Sequence, residues 1–242
     1  MTLKNIVKRT LSMLTATAIF CSLSIPAFAQ SPSSDENGEY VVTYRAEPVT
    51  DIDALVALAA QQPKAASSEE EDDGLLRVKQ LTEVREYADG SVEKDYAESA
   101  IALAAENELA LAVDVPGDQT KSDGVSGFDV SFTFYYTIRS QNGGYFFRAD
   151  ETVTSVEKYA NSSNRMTYGQ QMYICTKSIY KTQSISHNIN GLKEYTLTSS
   201  NRDFHAGYYQ DFLTGITYGV GAQLSMDFSN GDDITIQIVA QP

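Results

Sequence analysis

The chain has no tryptophan, two cysteines, two histidines and six prolines among 242 residues, and only 18 basic side chains against 32 acidic ones. Each shortage excludes something. Cys21 lies in an apolar N-terminal stretch and Cys175 is the other thiol. Once that stretch is removed no internal disulfide is possible, and stability must rest on a hydrophobic core. His187 and His205 are the only imidazoles, and no paired ligand spacing makes a zinc site of them. The sequence has no H-E-x-x-H, no phosphate-binding P-loop and no dinucleotide fingerprint. The nearest approach to a nucleophile elbow, Gly124-Val125-Ser126-Gly127, lacks the second spacer and precedes a strand pattern rather than a helix. The shortage of basic residues argues against nucleic acid and anionic membrane as partners, because a strongly acidic chain is repelled by both. No cofactor is expected.

What is present begins with an export signal. Lys4, Lys8 and Arg9 precede the apolar run Leu11 to Ile25, Pro26 breaks it, and Ala27-Phe28-Ala29 offers small residues at both positions a signal peptidase reads. Fifteen apolar residues are too few to cross a bilayer as a helix. Phe20 before Cys21 is too large for a lipoprotein signal. Residues 1–29 therefore read as a cleaved signal with the cut between Ala29 and Gln30. The mature chain is expected outside the cell, released or held at the envelope by non-covalent contacts, and not inserted in membrane. It keeps all 32 acids and 15 of the 18 bases, a net charge of −17.

That charge is unevenly spread. Residues 30–123 carry 22 acids and 7 bases, whereas residues 124–242 carry 10 and 8. Such asymmetry marks regions built differently. Residues 30–75 read as an acidic, partly disordered arm with a short helix over 51–62. Thr50 is the expected cap with Asp53 as its capping-box partner, and Ile52, Leu55, Val56 and Ala59 share one face. The run from Ser67 to Gly74 is a solvated linker, since it lacks the spaced oxygen ligands of a calcium loop. Residues 76–123 read as a β-hairpin and linker: Leu76 to Tyr87 and Ser91 to Leu103 flank Ala88-Asp89-Gly90. Residues 124–242 read as the main domain. In Phe128 to Arg139, Phe128, Val130, Phe132, Phe134, Tyr136 and Ile138 occupy one face and polar residues the other. Further strands are expected over 145–156, 165–177, 179–188, 195–199, 219–228 and 234–239. The pattern predicts an all-β protein, an antiparallel β-sandwich with a barrel as the alternative closure.

Candidate chemistry is sparse. Cys175 sits in the strand pattern Met172-Tyr173-Ile174-Cys175-Thr176, not at a helix start where a dipole would favour thiolate, and reads as an inert thiol. Asp150 and Glu151 are neighbours in a strand, so they are expected on opposite faces and make no acid–base pair. The segment from Phe204 to Phe212 carries Phe204, His205, Tyr208, Tyr209 and Phe212 between two strands. Tyrosine-rich loops on rigid sheets bury large rings at low entropic cost. Tyr208 and Tyr209 are the expected anchors, with Phe204 and Phe212 free to plug an open end of the sandwich.

The signal, the hairpin Glu83 to Val92, Phe134-Tyr135-Tyr136-Thr137, Thr167-Tyr168-Gly169-Gln170 and Gly221-Ala222 together resemble small secreted β-rich proteins of Gram-positive gut bacteria. That resemblance implies no activity and no site residues. The expectation is a non-enzymatic extracellular binding protein whose partner is a protein or glycan at a cell surface or in host secretions. The rival expectations are a secreted toxin or bacteriocin-like effector with an acidic propeptide, and a small extracellular hydrolase.

Overall fold

The computed structural model describes residues 33–34, 40–62, 74–104, 127–158, 163–175, 178–186, 191–199 and 220–241. The signal stretch with Ala29 and Gln30, most of the acidic linker, His187, and Phe204, His205, Tyr208, Tyr209 and Phe212 lie outside these. The elements in chain order are β1 (Ser33–Ser34), β2 (Tyr40–Arg45), α1 (Ile52–Ala59), β3 (Leu76–Tyr87), β4 (Val92–Ala102), β5 (Phe128–Gln141), β6 (Gly144–Lys158), β7 (Met166–Cys175), β8 (Ser178–Ser184), β9 (Lys193–Thr198), β10 (Val220–Phe228) and β11 (Asp233–Val239). They form a seven-stranded sheet ordered β1-β2-β3-β4-β5-β6-β9 and a four-stranded sheet ordered β11-β10-β7-β8. Every pairing is antiparallel, and the two sheets do not close into a barrel.

The core lies between the sheets. The alternating apolar set of β5, from Phe128 to Ile138, meets Val220, Ala222, Leu224 and Met226 of β10 and Ile234, Ile236 and Ile238 of β11. All of these are buried, and each fully buried side chain of this size contributes about 1.5–3 kcal/mol. Phe128 and Phe228 close one end with ring centroids 4.9 Å apart. Polar groups inside are matched rather than stranded. Gln171 is fully buried and accepts from the Thr152 and Thr154 hydroxyls while its amide donates to Gln183. At the β5–β6 turn Asn142 and Gly143 both have positive φ, the pair of left-handed residues that a two-residue hairpin requires.

The expected hairpin of β3 and β4 is part of this architecture, because β4 pairs with β5 along eleven residues. Two features go beyond the sequence reading. Residues 40–45 of the acidic arm form a strand paired on β3, where only a helix was expected nearby. The helix cap is Asp51, whose carboxylate accepts from the Ala54 amide; Thr50 lies one residue too early. The helix runs from 52 to 59, shorter than the expected 51–62, and its face is as read: Ile52 and Leu55 are buried against Val78 and Ile101. Val78 and Ile101 lie on the side of the seven-stranded sheet away from the core, so α1 covers one end of that outer face. Gln80 fastens the approach to the helix by accepting from the Val49 amide and donating to its carbonyl. Among the described residues no helix is long and apolar enough to cross a membrane.

Candidate functional site

Two sheet faces look away from the core. They differ in chemistry. On the seven-stranded sheet, α1 covers the Val78–Ile101 end, and among the described residues no helix covers the β2–β6 end. That end carries an ionic network built by cross-strand register. Arg85 pairs opposite Glu93, Thr137 opposite Asp95, and Arg148 opposite Thr137. A single Arg85 Nη2 donates to both oxygens of Asp95, at 2.5 and 2.6 Å, while Nε lies 3.4 Å from Glu93 and 3.6 Å from Glu83. Arg45 donates to Glu83 at 2.6 Å. Arg139 reaches Asp89, Ser91 and Glu93. Arg148 Nε donates to Asp150, and its Nη2 donates to the Thr137 hydroxyl.

Burial makes these contacts matter. Arg85 is 7% exposed and Glu93 3%. Desolvation works against the Arg85 charge, but Asp95, Glu93 and Glu83 outweigh it and its pKa is raised. Burial pushes the Asp95 carboxyl up, with the Asp150 charge adding and Arg85 and Thr137 opposing. Tyr87 meets Tyr40 in a tilted ring contact and lies under Arg139, and burial beside Glu93 pushes its phenol up to about 12. The arginines of this face are thus occupied by the protein's own acids. An anionic ligand would have to displace them.

The structure overturns the expectation for Asp150 and Glu151. Tyr135 pairs with Glu151 and Tyr136 with Ala149, so Asp150 is an extra residue in a β-bulge. A bulge sets two successive residues against one on the partner strand and resets the alternation. Both carboxylates consequently lie on the outer face. Glu151 is pushed up by burial, then by Glu194 and Asp150. Asp150 is bound to Arg148 and Thr137. This proximity was not visible in the sequence, since a bulge leaves no residue signature of its own.

The outer face of the four-stranded sheet is different. It is set by the residues that alternate with the inward Ala222, Leu224 and Met226. One cross-strand row holds Gln237, Gln223, Met172 and Thr182, and the next holds Thr235, Ser225, Gln170 and Ser184. Asp233, Asp227 and Tyr168 follow. These rows contain no lysine or arginine, and their acids are confined to the last. Tyr168 is 39% exposed, one of few large rings open to solvent among the described residues. Sequence reading placed Tyr168 and Gln170 on a strand without recognising this face, because the rows form only when four separate strands are aligned.

Cys175 ends β7. Among the described residues no three His, Cys, Asp or Glu side chains are placed to hold a metal ion. No protein-family model, no curated protein and no solved structure matches this chain.

Proposed function

We propose that the protein is a secreted, non-enzymatic binding protein, and that it engages an uncharged glycan at a cell surface or in host secretions through the outer face of the four-stranded sheet. The observation that carries this reading is the pair of amide and hydroxyl rows beside the exposed Tyr168 ring. Amides and hydroxyls both donate and accept, which suits sugar hydroxyls, and an aromatic ring supplies a flat apolar surface for a sugar face. The absence of basic residues in those rows disfavours a polyanion. The self-neutralised arginines of the other sheet leave no strong anion site there either. Support for secretion comes from the basic start, apolar run and Ala27-Phe28-Ala29 of the N-terminus.

The test is binding of the purified protein to immobilised neutral and anionic polysaccharides and to proteins of host secretions. Parent, Tyr168→Ala with Gln170→Ala, and Tyr208→Ala with Tyr209→Ala are compared. Loss of an interface tyrosine commonly costs about 2 kcal/mol or more, roughly thirtyfold in affinity. The first double variant is expected to lose neutral-glycan binding by at least that factor with its unfolding midpoint unchanged. Retained binding there with loss in the second variant moves the contact surface to the 204–212 segment. Binding only to a protein refutes the glycan reading.

A further inference from the structure

We propose that Asp95 and Asp150 share one proton through the hydroxyl of Thr137, making the centre of the seven-stranded sheet's outer face a proton-holding site that responds to pH. The inference rests on counting hydrogens. Thr137 Oγ1 lies 2.7 Å from Asp95 Oδ1, 2.7 Å from Asp150 Oδ2 and 2.6 Å from Arg148 Nη2. A hydroxyl has one proton to donate and two lone pairs to accept with. The guanidinium has no acceptor, so it takes one lone pair as donor. The hydroxyl then donates to one carboxylate. The remaining carboxylate also sits at hydrogen-bonding distance, yet it faces an oxygen lone pair unless it brings a proton of its own. One proton on the aspartate pair satisfies all three contacts together.

The charges around the pair point the same way. Among the described residues, ion pairs of this face join Arg45, Arg85, Arg139 and Arg148 to Glu83, Asp89, Glu93, Asp95 and Asp150. With Glu151 beside Asp150 the acids outnumber the arginines, and a bound proton lessens that excess of negative charge where Arg85, Glu93 and Arg148 are almost wholly buried. The groups facing the pair are Arg85 and Glu83 from β3, Glu93 from β4, Thr137 and Arg139 from β5, and Arg148 and Glu151 from β6. The upward push on Asp95 by burial, reinforced by the Asp150 charge, agrees with a proton retained there. The proton belongs to the pair, as coupled sites titrate jointly.

The consequence has a definite sign. A carboxyl whose folded pKa is raised holds a proton that the unfolded chain has released, so the folded state is favoured below that step and loses this contribution as pH rises through it. Deprotonation leaves two carboxylates competing for one hydroxyl proton across β4, β5 and β6, and loosens the pairing of these strands.

The experiment is a carbon-13 carboxyl titration by NMR of the full chain labelled at aspartate, for the parent and for Asp150→Asn. An amide at position 150 can donate to the Thr137 oxygen, which frees the hydroxyl proton for Asp95 and removes the need for a shared one. In the parent, the Asp95 signal is expected to show an upper step, raised by burial, that the Asp150 signal follows. In Asp150→Asn the upper step disappears, and Asp95 titrates once at lower pH. Independent single-step curves for the two aspartates in the parent overturn the proposal, whether or not the variant folds. So does an Asp95 curve unchanged by Asp150→Asn, which would assign its shift to burial alone.

Discussion

Replacing Arg85 by alanine isolates the energetics of the ionic face. The side chain is 7% exposed and meets three acids. Those acids do not lose equally. Glu83 keeps Arg45 at 2.6 Å, and Glu93 keeps Arg139 at 3.6 Å. Asp95 keeps only the Thr137 hydroxyl among its strong partners. Removing one member of a buried ion pair costs about 3–5 kcal/mol, because the other charge is left uncompensated. Asp95 retains some access to water, with 26% of its side chain exposed, so the lower part of that range applies: about 3 kcal/mol at neutral pH. An exposed pair would cost only about 0–1 kcal/mol. The assay is urea unfolding, followed by two probes to check coincidence of the transitions, with the midpoint shifted and the slope preserved. Two controls separate a stranded charge from lost packing. At pH low enough to protonate Asp95 the penalty should shrink. In the double variant Arg85→Ala with Asp95→Ala at least about half of the loss should return, since removing both partners of a buried pair approaches neutrality. A loss under about 1 kcal/mol at neutral pH, the surface-pair level, refutes the reasoning, as does a penalty independent of pH.

Leu55→Ala should destabilise by about 2–3 kcal/mol, the low end for a fully buried leucine because α1 is short and covers one side only, whereas Asp51→Ala should cost about 1 kcal/mol through the lost cap; chemical denaturation measures both, and equal effects would contradict the packing described. The Tyr87 phenol, pushed up to about 12 by burial and the neighbouring Glu93, should ionise well after an unperturbed tyrosine; difference absorbance between the parent and Tyr87→Phe across alkaline pH reads this, and a missing component near the ordinary value of about 10 would contradict it.

Most of the fold was legible because strand periodicity and turn chemistry are local. The strict alternation from Phe128 to Ile138 identifies β5 and its core face, and Asn142-Gly143 fixes where it turns. The helix face of Ile52 and Leu55 is equally local. Strand β2 was missed although Tyr40-Val41-Val42-Thr43-Tyr44-Arg45 is rich in β-formers. Its acidic surroundings argued for disorder, and what orders it is pairing with β3, about forty residues away in sequence. The polar side of β5 shows a second limit. Sequence placed Ser131, Thr133 and Thr137 on the polar face of the strand but did not show that all are buried: Ser99, the Asp95–Asp150 network and their neighbours cover them. Which acid meets which base depends on inter-strand register and on bulges at Thr82 and Asp150, neither of which composition or spacing encodes.

On the proposed reading, the two outer faces divide structural and recognition roles for a physical reason. An uncovered sheet face in a strongly acidic chain must remain soluble, hold its strands in register and resist pairing with other molecules. The seven-stranded sheet meets these demands with charge. Buried ion pairs on the outer face make register slips costly, because a one-residue shift would send Arg85 and Glu93 to the apolar core side. That arrangement commits its arginines, and any ligand that engaged them would have to leave Asp95 or Glu93 unpaired. The four-stranded sheet is held instead by its inward row of Leu224, Met226, Ile236 and Ile238, which leaves Gln170, Gln223 and Thr235 with no charge to balance. Substitutions there change surface chemistry without stranding a buried group, so that face can be tuned for a partner at little cost in stability. The proposed recognition surface thus coincides with the face of least ionic structure among the described residues, although the acidic face is the more conspicuous in composition.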